Sequence, residues 1–224
     1  MTLDLFESTL TGTRESLGQQ AYVLRGLALP YVPDLLTALA AIQDAAPFRH
    51  MSTPGGYTMS VALTNCGRLG WTSDRHGYRY TRQDPESGLD WPAMPAVFLA
   101  LAQDAALAAG FTQFAPDACL VNRYLPGTKL SLHQDRNEKS DSEPIVSVSL
   151  GIPAIFLFGG HQRNDKTTRV PLFHGDVVVW GGVDRMRYHG VLPIKDADHI
   201  LMGAQRINFT FRTAGLPTTD NSKT

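Results

Sequence analysis

His133 and Asp135 lie two residues apart in Leu130-Ser-Leu-His-Gln-Asp135, at the end of a strand-like run. A period of two turns both side chains the same way, so an imidazole and a carboxylate can reach one ion. A distant second histidine would complete a two-histidine, one-carboxylate face with three coordination positions left open. Non-haem Fe(II) oxygenases need that arrangement, because co-substrate and oxygen both bind the metal. Alone, His-x-Asp is common on ordinary surface turns. Its weight depends on what accompanies it.

Seven histidines are present, at 50, 76, 133, 161, 174, 189 and 199. His189, in Arg187-Tyr-His-Gly190, follows the buried-looking strand Asp176–Trp180 and its Gly181-Gly182 turn, which returns it to the mouth of a barrel. His174 precedes the same strand and is the rival, but the far end of a strand would carry it away.

Arg206-Ile-Asn-Phe-Thr-Phe-Arg212 alternates strictly. Arg206, Asn208, Thr210 and Arg212 share one face, and Ile207, Phe209 and Phe211 the other. The polar face holds no acid and no lysine, only two guanidiniums with an amide and a hydroxyl between them. Their Cα atoms stand ~20 Å apart along a strand, a gap that two inward-leaning arginines close to about the length of a dicarboxylate. Planar forks also suit carboxylates better than ammonium groups do. Asn122 and Tyr124, again two apart on a strand, could add neutral hydrogen bonds to the same ligand.

These residues need strands to hold them. Ala118–Tyr124, Ile145–Leu150, Ala154–Phe158, Asp176–Trp180 and Arg206–Arg212 read as short strands bounded by Gly, Pro or Asn signals. Two helices come first. Pro33–Ile42 has proline in its first turn and an apolar stripe of Leu35, Leu36, Leu39 and Ile42. Pro95–Ala109 places Val97, Phe98, Leu101 and Ala105 on one face and ends at Gly110, a plausible C-terminal cap. Helices followed by many antiparallel strands predict an α+β chain with a mainly β core: a double-sheet barrel with helices packed on one side.

The chain has 224 residues, 43% hydrophobic and 18% charged, which fits one packed domain. A net charge of −1 excludes a globally basic surface, so any nucleic-acid footprint must be local. Two separated cysteines, Cys66 and Cys119, argue against a disulfide framework and for a reducing compartment. No apolar run approaches the ~18 residues a membrane span needs, and acids stand where a signal peptide carries basic residues. A soluble cytoplasmic protein without membrane contact, and a monomer, is expected.

Residues 47–82 interleave Tyr57, Trp71, Tyr78 and Tyr80 with Arg49, Arg68, Arg75, Arg79 and Arg82, with Asp74 as the one acid. Such a mixture suits a single strand whose bases stack and whose phosphates are held. The competing reading has about half of the aromatics capping the core.

Taken together, His133-x-Asp135…His189 and Arg206-x-Asn208-x-Thr210-x-Arg212 resemble the signature of the AlkB-type dioxygenases. Pro54–Ser60, Pro116–Tyr124 and His174–Gly182 match as well, and the resemblance covers roughly residues 20 to 213. It implies a double-stranded β-helix, or jelly roll, under an N-terminal nucleotide-recognition lid. The expected layout is a flexible segment 1–20, one dioxygenase domain 21–213 with a lid at 47–90 and a catalytic core at 115–213, and a disordered tail 214–224.

The resemblance implies that His133, Asp135 and His189 bind Fe(II). It implies that Arg206, helped by Asn122 and Tyr124, grips the distal carboxylate of the co-substrate 2-oxoglutarate. Asn208 and Arg212 would lie beside that co-substrate, Arg212 near the carboxylate touching the metal. The implied reaction uses molecular oxygen to remove N-alkyl groups, as in 1-methyladenine and 3-methylcytosine, from single-stranded DNA, with RNA left open. Thr53, Tyr57, Trp71, Tyr78, Asn137 and Arg163 are the positions expected to touch the nucleotide. Trp71 would stack on a flipped base opposite His133, since alkylated ring nitrogens are unreachable inside a duplex. Asn137 departs from the pattern, which places an aspartate there, and so puts base preference in question. The rival readings are the same iron chemistry on a small molecule or protein side chain, a zinc hydrolase on His133, Asp135 and His189, and a nucleic-acid module without chemistry.

Overall fold

Along Arg206–Arg212 the apolar residues Ile207, Phe209 and Phe211 enter one core, while Arg206, Asn208, Thr210 and Arg212 line a cavity on the opposite side. That strand is the axis of the fold. The computed structural model describes residues 11–139 and 141–215. In chain order the strands are β1 (Arg14–Ser16), β2 (Ala21–Leu24), β3 (Ala62–Gly67), β4 (Gly70–Asp74), β5 (Gly77–Thr81), β6 (Ala118–Tyr124) and β7 (Leu130–His133). They continue as β8 (Ile145–Gly151), β9 (Ala154–Phe158), β10 (Thr168–Leu172), β11 (Val177–Trp180), β12 (His189–Val191) and β13 (Arg206–Arg212).

Seven strands form one sheet in the order β1-β2-β11-β8-β13-β6-β3, and four form a second, β10-β9-β12-β7. All the pairings within them are antiparallel. The expected double-sheet jelly roll is therefore the architecture found. Strands β2 and β11 of the large sheet divide their residues between two apolar clusters. Val177 and Val179 face the helices, whereas Val178 and Trp180 face the small sheet. Inside-facing Phe156, Phe158, Val170 and Leu172 of the small sheet complete the inner cluster.

Helices α1 (Val32–Ala45) and α2 (Ala96–Ala108) cover the outer face of the large sheet. The α1 stripe Leu35, Leu39 and Ile42 is buried as its spacing predicts, with Leu36 half-buried at its margin. Phe98 of α2 meets Phe209 edge-on at 4.8 Å and Phe211 at 6.0 Å. Truncating such a buried phenylalanine to alanine costs about 3–5 kcal/mol. Gly110, at φ +93°, ends α2. Its N–H donates to Leu107 O and that of Phe111 to Ala106 O, satisfying the last carbonyls.

The N-terminal segment differs from expectation over its described part. Arg14–Ser16 pairs with β2, and Arg25 holds Glu15 and Asp176 together, with Arg25 and Asp176 buried. The signal was hidden because β2, Ala21–Leu24, is short and its partner β1 is largely polar. Residues 1–10 and 216–224, in the two segments expected to be loose, lie outside the described residues. Among the described residues, no helix is long and apolar enough to cross a membrane. Cys66 and Cys119 face each other across β3 and β6 as free, fully buried thiols.

Candidate active site

β7 ends at His133 and runs antiparallel to β12, in which His189 is the direct partner of His133. The pairing shifts register after that point, and Gly190 allows the close approach: a Cβ there would lie 2.7 Å from Leu130 O. The two imidazoles stand 4.4 Å apart, centroid to centroid. Asp135 is just beyond the strand end, its oxygens 3.6 Å from His133 Nε2 and 3.8 Å from His189 Nε2. One ligand atom from each residue falls within 4.8 Å of the other two, close enough to share an ion. No other cluster of three or more such groups occurs among the described residues.

The rings are oriented for that use. Nδ1 of His133 is bound to Ser131 O at 2.9 Å and Nδ1 of His189 to Arg187 O at 3.1 Å. Each carbonyl accepts the Nδ1 proton, which leaves Nε2 as the free lone pair. Burial, reinforced by the neighbouring His133, pushes the His189 pKa down to about 3, so the ring is neutral. Burial alone would raise Asp135, but Arg212 and then the two histidines hold it below the usual carboxylate range. His174, the rival ligand, is elsewhere. It accepts a hydrogen bond from Gly151 N and stacks on His199.

Above this triad opens a cavity of about 490 Å³ lined by all four polar residues of β13. Arg206 is 2% exposed. Its Nη2 donates to Ser149 Oγ at 2.9 Å, and its guanidinium lies 5.0 Å from the ring centre of Tyr124. Nε and Nη1 of Arg206 are buried without a hydrogen-bond partner. Two orphaned donors of a buried guanidinium fit a carboxylate ligand, and they are oriented by a shell that is itself satisfied. Asn208 donates to Ser147 Oγ and Val148 O and accepts from Thr210. Asn122 and Tyr124 line the same space. The donor set thus fits Fe(II) at the triad and 2-oxoglutarate at Arg206.

The two arginines of β13 do different things. Arg212 is engaged by Asp135 Oδ2 through both Nε and Nη2, at 3.0 and 2.8 Å. Although burial opposes its charge, Asp135, Tyr80 and Glu138 hold the Arg212 proton above the usual range.

The candidate nucleotide contacts separate similarly. Thr53, Trp71, Tyr78, Asn137 and Arg163 line the cavity, and Tyr57 does not: it is 77% exposed. Trp71 and Tyr78, on the β4–β5 hairpin, stack at 5.5 Å with 16° between planes. Asn137 reaches both, accepting from Trp71 Nε1 and donating to Tyr78 O at 3.4 Å each. The arginines of this region are less available than their number suggests. Arg49 pairs with Asp84, Arg68 with Asp117 and Arg79 with Asp74. Among the described residues, ion pairs are absent at Arg75 and Arg82. Ser147, Phe156 and Trp180 also line the cavity and were missed; Ser147 and Trp180 lie in strands buried on both faces, which show no alternation to read.

The model of the 2OG-Fe(II) oxygenase superfamily matches residues 20–212. The chain belongs to that superfamily. Fe(II), 2-oxoglutarate and molecular oxygen are accordingly the cofactor and co-substrates of this oxygenase. It is 54% identical over 213 residues to the alpha-ketoglutarate-dependent dioxygenase AlkB of Escherichia coli, covering 95% of this chain and 98% of that one. It is 53% identical over 212 residues to AlkB of Salmonella typhimurium, with the same coverage. A solved structure of OsALKBH1 superposes with a TM-score of 0.77 at 28% identity, over 89% of this oxygenase and 99% of that chain.

Proposed function

We propose that this oxygenase repairs single-stranded DNA, and RNA where it meets it, by oxidising N-alkyl groups off bases such as 1-methyladenine and 3-methylcytosine. Fe(II) at the triad supplies oxidation by dioxygen, coupled to decarboxylation of 2-oxoglutarate to succinate. The N-methyl group becomes N-hydroxymethyl, and that hemiaminal loses formaldehyde to leave the unmodified base. His133, Asp135 and His189 hold the metal. Arg206, with Asn122, Tyr124 and the Asn208–Ser147 pair around it, takes the distal carboxylate.

The observation that carries this reading is the Trp71–Tyr78 stack over the cavity that holds the triad. Two parallel aromatic faces at the mouth suit a flat heterocycle placed with its pairing edge toward the metal. We assign residues 47–90 as the nucleotide-recognition lid and 115–213 as the catalytic core. Within the lid, Arg75, Arg82 and, across the cavity, Arg163 are the cations available to phosphates. The names of the AlkB relatives support the same class of chemistry.

The test is anaerobic titration with Fe(II) and 2-oxoglutarate, then admission of oxygen with methylated single-stranded DNA. Succinate and formaldehyde should form in equal amounts with loss of the methyl group. Succinate formation that no oligonucleotide stimulates would favour a small-molecule or protein hydroxylase instead.

A further inference from the structure

Glu138 is a buried carboxylate that the reaction itself does not require. Its side chain is 3% exposed, and it lies three residues past the metal carboxylate on the same loop. Oε1 accepts from Tyr80 Oη at 2.6 Å and lies 3.4 Å from Arg212 Nε. Oε2 accepts from Arg185 Nη2 at 3.2 Å. Both arginines also hold Asp135. Arg212 takes its carboxylate, and Arg185 Nη1 donates to its backbone carbonyl at 3.0 Å.

The charges explain why the second carboxylate is there. Arg185 is 2% and Arg212 7% exposed at the side chain, so two guanidinium charges are buried beside the metal site. With Asp135 as their only counter-charge they would draw density from the oxygen atoms the metal needs. Glu138 balances the pair and leaves Asp135 free to serve a cation. Tyr80 adds a second link. It belongs to β5, in the hairpin that carries Trp71, so the stacking platform is tied to the metal carboxylate through Tyr80, Glu138 and Arg212.

The geometry points to Glu138 as a positioning residue that sets the Asp135 carboxylate for the metal and registers the aromatic hairpin against it. This inference rests on Asp135 being the metal carboxylate and on the hairpin receiving the base. Glu138 touches neither ligand; it acts through Arg212, Arg185 and Tyr80.

The test is anaerobic Co(II) binding to the full-length apoprotein, read by visible absorption, beside steady-state kinetics with Fe(II). Wild type against Asp135→Ala checks the metal assignment first: loss of Co(II) binding in the latter confirms it independently of Glu138. Glu138→Gln should then weaken Co(II) about 10- to 100-fold, the usual effect of losing a residue that supports a ligand, and shift the absorption bands. Glu138→Asp should recover part of both. Tyr80→Phe keeps every charge and should raise the oligonucleotide KM severalfold, more than it lowers kcat. Unchanged Co(II) affinity and spectrum in folded Glu138→Gln would overturn the positioning role. Where Glu138→Gln does not fold, Tyr80→Phe decides, and an unchanged oligonucleotide KM there overturns the link to the hairpin.

Discussion

Arg206 commits one nitrogen to Ser149 Oγ at 2.9 Å and keeps two others buried with nothing to bond. A buried, unsatisfied donor costs about 1–3 kcal/mol, more when charged. The fold accepts that cost where a ligand is to supply the acceptors. Arg206→Lys keeps the charge but loses the fork. The KM for 2-oxoglutarate should rise about tenfold or more, since one charge-assisted hydrogen bond contributes roughly 1.5–3 kcal/mol. Steady-state kinetics with saturating oligonucleotide measure it, and an unchanged KM removes Arg206 from the co-substrate site.

The metal assignment predicts a clear separation among histidines. His133→Ala, Asp135→Ala and His189→Ala should each abolish turnover and weaken Fe(II) binding. His174→Ala should bind Fe(II) like wild type, because His174 is anchored at Gly151 N and His199, away from the triad. Loss of metal on changing His174 but not His189 would reverse the assignment.

Base preference should depend on Asn137. Methylation at N1 of adenine or N3 of cytosine gives a cation, whereas methylation at N1 of guanine or N3 of thymine leaves a neutral base. A carboxylate here would favour the cations by about 1 to 4 kcal/mol at 4 Å, depending on how dry the pocket is. Glu138 does not supply that charge, being held by Arg185 and Arg212. Asn137→Asp should therefore raise kcat/KM for cationic over neutral lesions, compared on matched single-stranded oligonucleotides at one salt concentration. A flat ratio would take Asn137 away from the base.

Stability should fall in mild acid through His174. Burial, then the charge of His199, pushes its pKa from 6.5 down to about 4. The folded state thus disfavours a proton that the unfolded chain accepts below about 6.5. The contribution is complete above that pH, declines as pH falls toward 4 and is flat below. Urea unfolding at pH 7 and pH 4.5 should show a smaller drop for His174→Asn than for wild type. Equal drops would assign the acid sensitivity to other groups.

How far the sequence could be read depended on how each residue is used. The alternation of β13 was visible because one of its faces is apolar core and the other a polar cavity, so its chemistry and its position followed together. The His133–Asp135 pair was legible from its spacing of two at the end of β7. Ser147 and Ser149, which orient Asn208 and Arg206, lie in β8, buried along its whole length, where small polar residues look like filler. The arginines of 47–82 were read as a phosphate grip because counting charges says nothing of partners. Asp84 and Asp117, which engage Arg49 and Arg68, lie outside that window.

The facing thiols of Cys66 and Cys119 have a consequence for an enzyme that handles iron and oxygen. Sulfur is oxidised as the thiolate. Burial, aided by the hydrogen bond that the Cys119 thiol gives to Cys66, keeps Cys119 well above its ordinary pKa, and neither sulfur is reached by solvent. Peroxide leaking from unproductive turnovers would meet no ionised sulfur at Cys119, so repeated catalysis should leave the β3–β6 seam chemically intact.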